Sequence, residues 1–373
     1  MPDPRPPALA PDARILLVRL SAIGDVVFAS PLVAALRRAC PQAHIAWLVQ
    51  PECRALLDHH PDLDEVIVCP MGHWRRLWRQ RRFIALGRGL RALRETLHAQ
   101  RFDLALDLQG LGKSGLLTRL SGARERIGLG SREGSAWLMT RTVARGGEAR
   151  RIGSEYLYLA QTLGLPTDPF EMVVHYDAAA ARSADATLVR EGLTSGFAIL
   201  CPFTTRPQKH WFEDRWADLA IRLRRELGLT PVLLGGPRDR AAADRINDGA
   251  AAGGTDGGLR GIRDATRPPL VNLVGQTSLG EAAALIERAA LVVAVDTGLG
   301  HMGIAAGTPS VLLFGSTCPY LETTRANARV LYHRQPCSPC RRRPTCNGDF
   351  TCMKALGVGE VLAAAQAVLG TAP

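Results

Sequence analysis

LVVAVDTGLGHMGIAAGTPSVLLFG, spanning Leu291–Gly315, is the stretch whose reading decides the fold. Leu291–Val295 is short, apolar and β-branched, the composition of a strand buried in a parallel sheet. Asp296-Thr297-Gly298 breaks the run, and Gly300–Ala306 is small and helix-compatible. Gly307-Thr308-Pro309 stops that helix, and Val311–Phe314 starts another strand. The unit is strand, loop, helix, loop, strand, and its first loop leaves the carboxyl end of a strand, where open α/β sheets bind ligands. A helix N-terminus offers free N–H groups and partial positive charge, so this loop suits a phosphate. A purely structural account fits the same residues, with Asp296 or Thr297 as a helix cap and His301 as a packed core histidine.

Outward from this unit the same alternation recurs. Arg14–Arg19 (RILLVR) reads as a first strand and Ser21–Asp25 as the loop leaving it, followed by an amphipathic helix over Val26–Ala39. Ile45–Val49 and Val66–Val68 read as strands, Trp74–Leu97 as an arginine-rich helical stretch, and Phe102–Leu108 as a further strand. Gly164–Asp177, with Pro166 and Pro169, reads as a connection, after which a second series begins. Ala198–Cys201, Pro231–Leu234 and Val271–Val274 are its strands; Phe212–Leu227 and Leu279–Ala289 are its helices, and Leu356–Leu369 a closing helix. Gly249–Gly261 is glycine-rich and polar, the composition of a surface insertion. Strands alternating with helices predict parallel sheets covered on both faces. Two such series predict two sheets facing one another across a cleft.

At 373 residues the chain has room for two domains, and a hydrophobic content of 46% is that of an ordinary globular protein. The Pro-rich first dozen residues read as a disordered lead-in. No apolar run reaches transmembrane length and no signal peptide is legible, which predicts a cytoplasmic protein. The net charge is +11, and of 46 basic residues only Lys113, Lys209 and Lys354 are lysines. Guanidinium groups bind phosphates bidentately, so anionic partners are favoured: a nucleotide, a phosphorylated glycolipid, an anionic membrane or nucleic acid. An aromatic content of 5% argues against single-strand binding by base stacking.

Several constellations carry chemistry. Asp25 follows the first strand, placed either to deprotonate a hydroxyl or to cap the helix that follows. Gln109–Ser114 (QGLGKS) resembles a P-loop, but Asp107 stands where the first glycine of that motif belongs, which counts against an ATPase. Lys113 there meets an anion or is a surface lysine. Trp74–Arg82 (WRRLWRQRR) is a solvated basic face, an anionic site at a bilayer surface, or a nucleic-acid patch. Thr204, Thr205 and Lys209, just before a helix, offer two hydroxyls and an ammonium to a diphosphate. Cys337, Cys340, Cys346 and Cys352 form a C-x2-C-x5-C-x5-C series, either a tetrahedral thiolate metal site or free thiols. Neither a well-placed dinucleotide fingerprint nor a Tyr-x3-Lys pair supports an oxidoreductase.

Four segments in order, RILLVRLSAIGDVVFASPL, FDLALDLQGLGKSG, TTRPQKHWFEDRWADL and VVAVDTGLGHMGIAAGTPSVLLFG, resemble glycosyltransferase family 9, the ADP-heptose:lipopolysaccharide heptosyltransferases, and span Arg14–Gly315. The DTGLGH and TTRPQKHW forms and the arginine-tryptophan patch look more like the type I enzymes, while the cysteine tail resembles some type II and unclassified members. The resemblance implies a GT-B fold of two Rossmann-like domains: residues 13–175 binding the acceptor, 176–355 the nucleotide sugar, and 356–373 forming the closing helix and tail. It implies inverting transfer of a heptose from ADP-L-glycero-D-manno-heptose to a Kdo-lipid A acceptor. It also implies that no cofactor or obligatory metal is required and that the enzyme is a monomer peripheral to the cytoplasmic face of the inner membrane. By the same resemblance Asp25 is the catalytic base, assisted by Lys209, and Thr204, Thr205, Lys209, Asp296, Thr297, Gly298 and His301 meet the donor. Asp239 stands in for a ribose-binding glutamate missing from GGPRDR; Arg75, Arg76, Arg79, Gln109 and Lys113 fall on the acceptor side. A histidine common in the family near the end of the first domain is replaced around Ile152. Two alternatives stand beside this: a family 9 transferase for another core or O-chain sugar, and an arginine-rich nucleic-acid-binding protein.

Overall fold

The computed structural model describes residues 10–193, 196–253, 270–317, 320–341 and 343–370. Most of the lead-in and the 254–261 part of the glycine-rich stretch lie outside these residues. The chain divides into two compact units: one runs to Glu148 and includes Gly153–His175, and the other comprises Ala149–Ile152 and the chain from Tyr176. Ala149–Ile152 belongs to the second unit because Arg151 pairs with Glu322 as a parallel bridge.

The first unit is built on six parallel strands: β1 (Arg14–Val18), β2 (His44–Val49), β3 (Glu65–Val68), β4 (Leu104–Asp107), β5 (Glu125–Leu129) and β6 (Arg141–Val143). Their order is β3-β2-β1-β4-β5-β6. Its helices are α1 (Ile23–Ala29), α2 (Pro31–Ala39), α3 (Met71–Arg79), α4 (Phe83–Ala99), α5 (Gly112–Leu120) and α6 (Ser154–Thr162). The stretch read as one helix over Val26–Ala39 is two, because Pro31 lacks the N–H that would continue α1. The arginine-rich stretch is also two helices, broken at Gln80–Arg82, where Arg81 adopts φ +54°. Trp74, read as part of a surface patch, is instead buried in the core with Leu77, Leu93 and Leu97, against Gly89 of α4.

The second unit repeats the plan with α7 (Ala178–Arg190), β7 (Phe197–Cys201), α8 (Glu213–Leu227), β8 (Thr230–Leu233), α9 (Arg240–Ala251) and β9 (Val271–Asn272). It continues with α10 (Leu279–Arg288), β10 (Leu291–Val295), α11 (Gly298–Ala306), β11 (Ser310–Phe314), β12 (Ala328–Tyr332), α12 (Thr351–Lys354) and α13 (Val358–Gly370). The strand order is β12-β11-β10-β7-β8-β9, again all parallel. Part of the glycine-rich stretch read as an insertion, Gly249–Ala251, is instead the last turn of α9, its Ala250 buried in the core. The closing helix α13 packs on β10, β11, β12 and α8, burying Val361, Leu362, Ala365 and Val368.

Both sheets follow the doubly wound order, in which chain direction across the sheet reverses between the first and fourth strands of the series. In the first unit this switch lies between β1 and β4; in the second it lies between β7 and β10. Loops at the carboxyl ends of those two strands diverge and leave a crevice. Those strand ends carry Leu108–Leu111 and, where a loop was expected over Ser21–Asp25, only Ser21–Ala22 followed by the first turn of α1 with Asp25; in the other unit they carry the segment containing Lys209 and Asp296–Thr297. The architecture is GT-B, two Rossmann-like α/β units.

Candidate functional site

In the second unit, α11 starts directly after β10 because Gly300 lets the helix press on the sheet. A Cβ there would lie 2.6 Å from Leu312 and 2.7 Å from Ala294. Thr297 occupies the cap position of α11, but its side chain makes no capping bond. The first-turn amides of α11 therefore keep no intrahelical acceptor and point at the loop.

Asp296 organises this loop. Its Oδ2 receives the Lys209 ammonium at 2.5 Å and the Thr317 hydroxyl at 2.7 Å, while its Oδ1 faces His301 Nε2 at 3.3 Å. Burial alone would raise the Asp296 carboxyl, but the His301 hydrogen bond and the Lys209 charge hold it below the usual carboxylate range. Asp296 is thus no helix cap, and His301, though buried, is more than core packing. Lys209 lies in a short turn, Pro207–Lys209, after β7; its Nζ also approaches the Asp296 carbonyl at 3.5 Å. Thr204 is half-buried and Thr205 exposed on the same loop, which His210 Nε2 closes against the Thr204 carbonyl at 2.9 Å. Lys209, Asp296, His301 and Gly298 are therefore brought together at the sheet's switch point.

Thr317 was missing from the sequence-derived set. The signal was present: Gly315-Ser316-Thr317 is a small, hydroxyl-bearing loop at the end of β11. Asp239 lies in the short turn Pro237–Asp239 that follows β8, where its Oδ2 accepts the Gly236 N–H at 2.9 Å, so its carboxylate already holds its own turn.

In the first unit Asp25 lies in the first turn of α1 and accepts the Ala22 N–H at 3.2 Å, so the capping account of this residue is real. Its carboxylate also pairs with Arg19, a guanidinium buried at the end of β1 that donates to the Leu108 carbonyl at 3.0 Å. Burial opposes the Arg19 charge, but Tyr156 and the Asp25 carboxylate more than offset it and raise its pKa. Sequence reasoning passed over Arg19 as a strand residue. The Asp25 side chain is 39% exposed, so it stays accessible while held.

The QGLGKS loop turns its donors inward. Asp107, fully buried, accepts the N–H groups of Gln109 and Gly110 and the Ser114 hydroxyl. Burial raises the Asp107 carboxyl, and those three hydrogen bonds act against that rise. The groups that cradle phosphate in a P-loop are consumed by this side chain. Gln109 is likewise internal, its Oε1 accepting the Leu20 N–H at 3.2 Å. Lys113 is half-buried at the start of α5, and Arg75, Arg76 and Arg79 are exposed on α3.

Cys337, Cys340 and Cys346 are half-buried and Cys352 is buried, all as free thiols. Among the described residues no group of three or more His, Cys, Asp or Glu is placed to hold a metal ion. Nor, among them, is any helix long and apolar enough to cross a membrane.

The family model described as glycosyltransferase family 9 (heptosyltransferase) matches residues 90–350. The chain is 31% identical over 340 residues to lipopolysaccharide heptosyltransferase 1 of Pseudomonas aeruginosa, covering 89% of this chain and 87% of that protein. A family 9 glycosyltransferase of Veillonella parvula superposes with a TM-score of 0.82 at 21% identity, covering 98% of this chain and 100% of that one. An Escherichia coli heptosyltransferase with ADP-2-deoxy-2-fluoro heptose superposes with a TM-score of 0.69 at 25% identity, covering 95% of this chain and 99% of that one. The chain belongs to glycosyltransferase family 9, a family of heptosyltransferases.

Proposed function

We propose that this protein transfers a heptose from ADP-L-glycero-D-manno-heptose to the Kdo residue of a lipid A-type glycolipid, with inversion at the anomeric carbon. The observation that carries the reading is the Lys209–Asp296 pair beside the first turn of α11, at the switch point of the second sheet. Relatives named for heptosyl transfer and a similar structure holding an ADP-heptose analogue support it.

In this reading the nucleotide sugar's diphosphate lies against the amides of Gly298 and its neighbours, with Lys209 and the hydroxyls of Thr204 and Thr205 around it. Asp296 and His301 orient Lys209 and the loop, and Asp239 reaches the ribose through Oδ1, its Oδ2 being held by the Gly236 N–H. Asp25 takes the proton of the acceptor hydroxyl as that oxygen bonds to the anomeric carbon. The bond from that carbon to the diphosphate breaks, and ADP departs with the electron pair. Lys209 and the helix amides are preorganised for the charge that develops there, commonly a large part of a catalytic effect. The reading calls for no cofactor. Arg75, Arg76 and Arg79, with Lys113, serve the phosphorylated acceptor, while Gln109, turned inward, holds the loop. In this reading the protein works as a monomer at the cytoplasmic face of the inner membrane.

The test is a donor screen: a panel of nucleotide sugars in thermal shift, then product mass with a Kdo-lipid A acceptor. ADP-heptose should stabilise the protein and add one heptose. Transfer of a different sugar would move the protein to another branch of the family. Steep salt-dependent DNA binding without ADP affinity would overturn the reading.

A further inference from the structure

Among the described residues seven large apolar side chains are exposed, and five of them fall on one layer of the first unit: Trp78, Phe83, Ile84, Leu116 and Trp137. Helices α3, α4 and α5 form that layer. Their inward residues Leu77, Leu93, Leu97 and Leu117 pack on the same face of the sheet as Leu16, Val18, Ala46 and Leu48. The turn Ser135–Leu138, which carries Trp137, leans on α5. Trp137 is 93% exposed, Ile84 75% and Trp78 63%. Trp78 and Phe83 stack edge to face at 5.3 Å across the turn joining α3 to α4, so they form one apolar prominence.

The prominence is set in positive charge. Between Met71 and Ala99 there are eight arginines and one acidic residue, Glu95. None of those arginines has an ion-pair partner among the described residues. Chain direction gives the layer its position. The last turn of α4 abuts the start of β1, where Arg14 reaches Gln100. Its first turn, with Phe83 and Ile84, therefore lies toward the opposite, carboxyl edge of the sheet, about 25 Å away for a helix of this length. Leu116 and Trp137 follow β4 and β5 and lie near that edge too, and Asp25 leaves β1 at the same edge.

We propose that this layer rests on an anionic lipid bilayer, with Trp78, Phe83 and Ile84 entering the headgroup region and Arg82, Arg88 and Arg91, at the start of α4 and along it, meeting lipid phosphates. Tryptophan suits that depth because its ring is apolar and its N–H is polar. Unpaired arginines near an anionic surface each strengthen attachment, and no folded-state partner competes for them. The proposal rests on the acceptor being a glycolipid and gives that reading a geometry: the acceptor's acyl chains stay in the bilayer while its sugar reaches the edge that carries Asp25.

The test uses the full chain with phosphatidylcholine vesicles, with and without phosphatidylglycerol. The protein should sediment with the anionic vesicles alone, with a blue shift in tryptophan emission. Replacing Trp78, Phe83 and Ile84 together by serine should lower vesicle affinity roughly tenfold or more while leaving the melting temperature unchanged, since all three are exposed. Arg82→Gln, Arg88→Gln and Arg91→Gln should each cost about fivefold in affinity. The serine variant should keep transfer to a deacylated, water-soluble acceptor and lose transfer to the same acceptor embedded in vesicles. Unchanged vesicle binding by that variant, equal binding to neutral vesicles, or a wild-type dimer that the variant abolishes would overturn the proposal. Vesicle binding that follows these substitutions without glycosylation of either acceptor would uphold the surface and sink the heptosyl-transfer reading. Transfer to embedded acceptor without vesicle binding would do the reverse.

Discussion

Lys209 and Asp296 are 87 residues apart in the chain and meet as an ion pair of 2.5 Å, with both side chains largely shielded from water. A charge held this way is expensive to leave alone. Lys209→Met strands the Asp296 carboxylate and should destabilise the second unit by about 3–5 kcal/mol in urea unfolding. Adding Asp296→Asn removes the stranded charge, so the double variant should recover much of that loss. Strictly additive losses would show that the two residues do not act as a pair. In both variants ADP affinity should fall, read by calorimetry.

The same pair sets an acid dependence. Asp296 has its folded-state pKa depressed, by His301 and Lys209 against the opposing effect of burial. Its stabilising contribution is therefore complete above the unfolded value, about 4, and is lost as pH falls from there toward the lower folded value. The melting temperatures of the wild type and Asp296→Asn should run in parallel above pH ~5, and the wild type should drop more steeply as pH falls from about 4 toward about 2. Curves that stay parallel throughout would mean that the carboxylate is not held by its partners.

Asp25 bonds to Ala22 and to Arg19 and is still accessible, so a structural and a chemical role predict different losses. Asp25→Asn keeps an oxygen for the Ala22 N–H but no longer accepts a proton. Turnover should fall by roughly 10²–10⁴ with ADP affinity nearly unchanged, while the melting temperature falls as well because the buried Arg19 guanidinium loses its carboxylate partner. Loss of ADP affinity together with turnover would reduce Asp25 to a helix cap.

Asp107 predicts the opposite pattern. Asp107→Ala leaves the Gln109 and Gly110 N–H groups and the Ser114 hydroxyl without their buried acceptor, and should cost about 1–3 kcal/mol of stability. Affinity for ADP should not change. A variant that gains or loses nucleotide binding would mean that the QGLGKS loop handles phosphate after all.

Thr317→Val tests the residue that the sequence pattern left out. It removes the 2.7 Å hydrogen bond to Asp296 while keeping the volume, and should weaken the loop by about 1 kcal/mol, with a matching fall in ADP affinity. Affinity equal to wild type would detach Thr317 from the site.

The amino-acid sequence by itself determined the alternation of strands and helices, because short β-branched runs and loops rich in glycine and small residues are local signals. It also determined which loops sit at strand ends, and hence that Asp25, Lys209 and Asp296 lie where doubly wound sheets bind ligands. Only the tertiary structure decided what each of those side chains touches. That Asp107 closes the false P-loop, that Arg19 holds Asp25, that Thr317 joins Asp296, and that Trp74 is core while Trp78 is surface all depend on packing. In each case the partner comes from another element, or the face presented depends on which helix packs against it. Hydrophobic periodicity shows that a residue belongs to a helix or a strand; which neighbour satisfies its polar atoms is settled only when the sheets close and burial makes an unpaired group costly.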